Sequence, residues 1–142
     1  MISEALVAYA TLFAWSFLAA TIVPLGSEPA LFVAVSRGHS VIATVSVATL
    51  GNYLGACTTY WLARKVASMA SFDRLEATHA GRLAKRFGAP ALALSWVPIL
   101  GDAIVAAAGV LRMPFAPFSF WTILGKAARY AVIAWSASAL MD

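Results

Sequence analysis

Four charged residues stand inside otherwise apolar stretches of this sequence: Glu28, Asp102, Lys126 and Arg129. On an isolated helix, a charge at the centre of a bilayer costs at least about 2.5 to 3.5 kcal/mol even on the forgiving insertion scale. Two acids and two bases balance to zero, so each sign has natural partners in the other. Gathered in one place they could line a polar cavity, exchange a proton at a carboxylate, or present cations to a phosphate.

The two acids end matching phrases. Val23-Pro24-Leu25-Gly26-Ser27-Glu28 lies in the first third and Val97-Pro98-Ile99-Leu100-Gly101-Asp102 in the last, with the same spacing from Pro to acid. Each continues apolar and closes on an arginine, Arg37 after Ala30 to Ser36 and Arg112 after Ala103 to Leu111. Pro24 with Gly26, and Pro98 with Gly101, break an apolar run at a depth where freed backbone groups are tolerated only beside protein or a wet cavity. An acid at such a break points to a site. The two bases lie in Gly125-Lys126-Ala127-Ala128-Arg129-Tyr130. If the last span starts at Phe115, Lys126 sits about 16 Å along it, near the middle of a bilayer. Residues three apart share a helix face, so both cations point one way, with Tyr130 a turn after Lys126.

The composition fixes the setting. Of 142 residues 62% are hydrophobic and 11% charged, against about a quarter charged in an ordinary soluble domain, which makes this an integral membrane protein. The length allows one domain, residues 1–142, and a few passes of about 20 residues each. Met1-Ile2-Ser3-Glu4 has no positive residue, so the first apolar segment is expected to persist as a mature helix. The net charge of +4 comes from one loop, needs no nucleic acid, and is explained by membrane orientation and anionic head groups. Cys57 is the single cysteine, so neither an intramolecular disulfide nor a cysteine-based metal site is available.

The elements that position the charges follow from period and punctuation. Ala5 to Ser36 would be about 48 Å as one helix, too long for one span and too short for two with a turn. The expected solution is a spanning helix, about Ala5 to Ala20, and a re-entrant hairpin over about 21–37. Pro29 suits the first turn of the outgoing half-helix, with Ser27 or Glu28 as its N-cap. Arg37-Gly38-His39-Ser40 is a turn, and Val41 to Ala63 is the next span, closed by Arg64-Lys65. Inside it Gly51-x-x-x-Gly55 favours close helix packing, while Asn52 needs a partner at that depth and joins the candidate site. Tyr60 and Trp61 read as interfacial anchors. Residues 71–87 are the one polar stretch. Phe72, Leu75, Leu83 and Phe87 share one face and Arg74, Arg82, Lys85 and Arg86 take the others, with Ser71 as N-cap and Gly88 past the end, giving a basic amphipathic helix on the cytoplasmic surface. His79 reads as a solvated histidine. Residues 89–111 either cross once with Pro98 as a kink or form a second hairpin. The hairpin is preferred because two matching phrases argue for one shape. Phe115 to Leu140 is the last span.

The expected fold is therefore all-α, with about three transmembrane helices, two inverted re-entrant hairpins meeting near the midplane, and a surface helix. The candidate transport site is Glu28, Asp102, Lys126, Arg129, Asn52 and Tyr130. No catalytic residue, metal or cofactor is expected. There is no metal-ligand spacing, nucleophile elbow or Walker loop, and the cations argue against a paired-carboxylate hydrolase.

Several of these motifs together resemble a family. The Pro24-Leu25-Gly26-Ser27-Glu28 tip, Gly51-x-x-x-Gly55 with Tyr60 and Arg64, the Gly88 to Gly109 segment with Pro98, and Gly125-Lys126-Ala127-Ala128-Arg129-Tyr130 resemble the DedA family of VTT-domain membrane proteins. Leu94-Ser95-Trp96-Val97-Pro98 before Gly101-Asp102, with the Gly-Lys-Ala-x-Arg-Tyr close, is similar to its short YqaA-type branch. The likeness runs from about Phe17 to Val132. It implies two opposed re-entrant hairpins and movement of phospholipid or a polyprenyl phosphate across the bilayer, in some proposals coupled to protons. Longer DedA proteins carry an acid where this chain has Ala56 and arginines near the positions of Ser95 and Gly101, so Glu28 alone carries over directly. The expected function is lipid translocation in a bacterial inner membrane. A proton- or ion-coupled small-solute transporter and a non-transporting scaffold are the alternatives. Membrane lipids, protons and a second copy of the chain are the candidate partners, and nucleic acid is not.

Overall fold

The computed structural model describes residues 3–21, 26–68 and 77–141. Pro24 and the proposed surface-helix residues Ser71, Phe72, Arg74 and Leu75 lie outside them. Six α-helices and one 3₁₀ helix make up the described chain: α1 Glu4–Thr21, α2 Glu28–Ser36, α3 Val41–Ala67, α4 His79–Phe87, the 3₁₀ helix Ala89–Trp96, α5 Leu100–Val110 and α6 Phe115–Ala139. Two of them, α1 and α3, are long and apolar enough to cross a membrane. Helix α6, with 25 residues, has the length as well, and carries Lys126 and Arg129 near its middle.

The helix boundaries have local causes. Pro29 occupies the first turn of α2, where its missing N–H costs nothing. Helix α2 ends on Gly38 at φ 81, with His39 N–H donating to Ala34 O at 3.3 Å and Gly38 N–H to Val35 O at 2.9 Å, the Schellman pattern. Helix α5 ends the same way, with Arg112 in the left-handed position at φ 53 and Met113 N–H donating to Ala108 O at 3.0 Å. The two matching phrases therefore close on the same cap. Ser40 accepts from Ala43 N–H to start α3, and Arg64 and Lys65 occupy its last turn, where cations suit the helix dipole.

Small residues set the packing. Helices α1 and α3 run parallel in close contact: Gly51 lies on the Phe13 carbonyl, Gly55 on the Phe17 carbonyl, and Thr59 Oγ1 donates to Ala20 O at 2.9 Å. Helix α1 buries Leu12, Ser16 and Ala20, one residue per turn, while Leu6, Val7, Trp15 and Leu18 stay exposed. The same holds around the molecule, where Ile42, Leu62, Phe120, Val132 and Trp135 face outward and alanine, glycine and serine fill much of the inside. Large apolar groups outside and small ones between helices suit a lipid solvent, and a surface so apolar would be a liability in water.

Two ends can be named by their residues. Helix α2 turns back along α1, with Trp15 Nε1 donating to Gly26 O at 3.4 Å, so Arg37 returns to the level of Glu4. The ingoing part of the expected first hairpin, after residue 21, lies largely outside the described residues; its outgoing half is α2, which packs back along the first half of α1. Helix α6 runs antiparallel to α3: Tyr53 donates to Ser119 Oγ at 2.7 Å, and the Tyr60 hydroxyl donates to Met113 O. The 3₁₀ helix and α5 pack side by side in the core built on Tyr60, Leu92, Ile104, Val105 and Phe118, and both open toward the Tyr60 end. Helix α4 covers the described part of the expected surface helix and is capped by Thr78, whose side chain accepts from Gly81 N–H at 3.1 Å. It docks through Ala80, Gly81 and Ala84, with Leu83 partly buried beside them, and leaves Phe87 exposed.

A methyl at Gly55 would stand 2.5 Å from Phe17 O and 2.7 Å from Ala20 Cβ, with no flexible group to yield. Gly55→Ala should therefore destabilise the fold by about 1 to 3 kcal/mol, read as a lower melting temperature in detergent. An unchanged value would mean that α1 and α3 are not held at this distance.

Candidate functional site

The two breaks meet. Gly26 and Ser27 from the first, and Pro98, Ile99 and Asp102 from the second, line one small cavity with Ala19, Asn52 and Arg129. The first unit opens toward the Arg37 end and the second toward the Tyr60 end, so their tips approach from opposite directions. Helix α6 runs past both and carries a base for each acid. Arg129 Nη2 pairs closely with Glu28 Oε1, and Lys126 Nζ faces Asp102 Oδ1 at 3.7 Å.

The two pairs are not equivalent. The Lys126 side chain is 2% exposed and Asp102 is 42% exposed, whereas Arg129 and Glu28 are 13% and 30% exposed. Among the described residues Lys126 is thus the most deeply buried charge, 3.7 Å from the more open acid. Breaking a buried pair leaves a bare charge in an apolar place, so neither base can lose its acid unless another anion or water replaces it. The geometry pairs the bases with separate acids on separate tips, and the cavity joins the pairs because Asp102 and Arg129 both line it.

Neutral groups complete the surroundings. Asn52 is 5% exposed, lines the cavity, and its Oδ1 has no hydrogen-bond partner. Ser27 occupies the N-cap position of α2 without a side-chain cap bond; the expected cap is not made because its hydroxyl bonds Tyr130 instead. Tyr130 is fully buried, and Arg129 lies 6.0 Å from its ring centroid. The cavity measures about 20 Å³, enough for about one water molecule. Gly101 differs from expectation: it sits within α5, flush against the Ser95 backbone. The break falls at Val97 to Ile99, so Gly101 serves close approach of the two legs.

Two contributors were not singled out from the sequence as site residues. Trp15 ties α1 to the first tip, and nothing in its apolar neighbourhood marks it. Ile99 adopts φ 67 and ψ −56, and Leu100 N–H donates to Pro98 O at 2.7 Å, which makes a γ-turn of the rare, strained hand. A β-branched residue at positive φ is a clear outlier, and such strain clusters at functional sites. Ile99 is 73% exposed, so little packing compensates. Ile99→Gly should raise the melting temperature, with a net stabilisation of about 1 kcal/mol after the entropy cost of glycine. A lowered melting temperature would show that the isoleucine side chain stabilises the tip more than the turn strains it.

Comparison with known proteins fits this arrangement. The profile of the VTT domain matches residues 9–138. The chain is 41% identical over 133 residues to the inner membrane protein YqaA of Escherichia coli strain K12, covering 93% of this chain and 92% of that protein. The YqaA protein of Shigella flexneri gives the same figures. An uncharacterized protein of Haemophilus influenzae is 36% identical over 132 residues, covering 86% of this chain and 82% of that one. No solved structure matches. With this coverage, and with apolar helices of spanning length, the chain belongs to the VTT-domain, or DedA, family and is an integral protein of the bacterial inner membrane.

Proposed function

We propose that this protein moves a lipid, phospholipid or polyprenyl phosphate, between leaflets through the polar region where the two tips meet. The observation that carries the reading is the pairing of two intramembrane acids, one on each of two oppositely opening tips, with two bases on a single helix. In this reading the units are inverted re-entrant hairpins, and the midplane lies at the level of Asn52. Glu28 and Asp102 act as gates, while Lys126 and Arg129 receive the phosphate that replaces a carboxylate. A cavity for a single water describes an occluded state. Opening begins at Asp102 and Lys126, whose contact of 3.7 Å is longer than a hydrogen bond. The same cavity size favours one second reading, a proton- or ion-coupled transporter of a small solute.

Orientation follows from charge. Arg64, Lys65, Arg82, Lys85, Arg86 and Arg112 gather at the Tyr60 end, which supports a cytoplasmic position for that end. Both termini then lie outside. A reporter fused after Asp142 should register outside the cytoplasm; because Met113 sits beside Tyr60, a cytoplasmic signal would overturn this orientation.

Transport has its own test. In proteoliposomes containing fluorescent phospholipid or a labelled polyprenyl phosphate, Glu28→Gln and Arg129→Ala should each slow translocation by at least about tenfold, the rate equivalent of losing one strong charged contact. Circular dichroism and detergent gel filtration should show both variants folded. Wild-type rates from two folded variants would leave the ion pairs as a scaffold only.

A further inference from the structure

Away from the meeting of the tips, a furrow of about 740 Å³ runs between α1 and α2. Its floor is small or buried, Ala8, Leu12, Ala30 and Ala34, and its walls are Val7, Thr11, Trp15, Pro29 and Val33. Its length follows from α2, whose nine residues rise about 13.5 Å, close to half of a bilayer core of about 30 Å. It therefore spans the depth of one leaflet. The inner end reaches Trp15 and Pro29, next to the first tip, where Trp15 donates to Gly26 O. The outer end holds Glu4 and Arg37, one charge of each sign at the level where head groups lie.

We propose that this furrow seats one acyl chain of a zwitterionic phospholipid bearing a primary ammonium group, with the phosphate at Arg37 and the ammonium at Glu4. The apolar wall matches a chain, the length matches one leaflet, and the pair of opposite charges matches a head group that is itself a pair. A guanidinium suits the phosphodiester, and a carboxylate suits an ammonium but not a glycerol or a second phosphate. The lipid would stand where the first tip can take it up. That purpose rests on the lipid-transport reading, while the binding itself does not.

The test uses the wild-type protein in phosphatidylcholine vesicles carrying a trace of phosphatidylethanolamine or phosphatidylglycerol with a photoreactive group near the end of one acyl chain. Labelled positions are mapped by mass spectrometry. With the ethanolamine lipid, labels at Thr11, Leu12, Trp15 and Val33 should exceed those at the exposed α6 residues Ile123, Leu124 and Val132 by about fivefold, the gain of one well-placed surface charge. The glycerol lipid should give a smaller excess. Arg37→Gln should reduce labelling by both lipids, and Glu4→Gln should erase the preference for ethanolamine. Both residues are exposed, so folding is not at stake. Labelling that merely follows exposure would mean annular lipid and overturn the proposal, as would replacement of lipid labels by links between two copies of the chain. The two readings fail separately. A labelled furrow in a protein that moves no lipid overturns transport alone, and an unlabelled furrow in an active protein overturns the seat alone.

Discussion

Hydrocarbon does not solvate charge, and α6 carries two cations through its middle. Lys126 and Arg129 are each met there by a carboxylate, and the two carboxylates stand on half-helices that open toward opposite ends of the molecule. The position of both tips follows from this demand. Glu28 brings the first turn of α2 to α6, and Asp102 brings the first turn of α5. Each half-helix must stop where its acid reaches the base, which makes both short. Their breaks must also lie in a protein-lined space, since loose backbone is not tolerated against lipid.

Everything between the charges is a matter of close approach. The long helices have no hydrophobic driving force toward one another in lipid, so they associate by shape. Gly51 and Gly55 let α1 lie on α3, Gly109 lets α5 lie on the Tyr60 carbonyl, and Gly125 sits among Leu92, Ala93 and Ser95. The last of these matters most for the site. Gly125 precedes Lys126, so the contact that presses the 3₁₀ leg onto α6 also fixes the depth at which Lys126 meets Asp102. Packing and charge pairing are set by neighbouring residues of one helix.

Much of this was legible in the chain because its causes are local. Apolar length gave α1 and α6 to within a residue and the start of α3, whose end runs past the expected Ala63 to Ala67; Pro29 gave the start of α2, and Gly51-x-x-x-Gly55 gave a tight helix contact. The partners of Lys126 and Arg129 were limited by elimination, since Glu28 and Asp102 are the acids at depth. Which acid meets which base was not legible, because it depends on the directions of two half-helices. The run from Ala5 to Ser36 divides into a helix and a half-helix as expected, but period alone cannot say whether α2 packs on α1 or on the far side of α3. Ser27 or Glu28 was the expected N-cap of α2; Ser27 holds that position, and only the fold shows that its hydroxyl bonds Tyr130 and not the helix. The left-handed Ile99 has no sequence mark at all, because glycine would be the ordinary choice there.

The leg Ala89–Trp96 is eight residues of 3₁₀ helix, more than the three or four such helices usually run. At about 2.0 Å per residue it covers about 16 Å, against about 12 Å for the same residues wound as α. The tighter coil buys reach. Rewound by a single class of hydrogen bond, the leg would contract by about 4 Å and draw Pro98 and Ile99 back from Gly26 and Ser27, opening the floor between the two tips without moving either long helix.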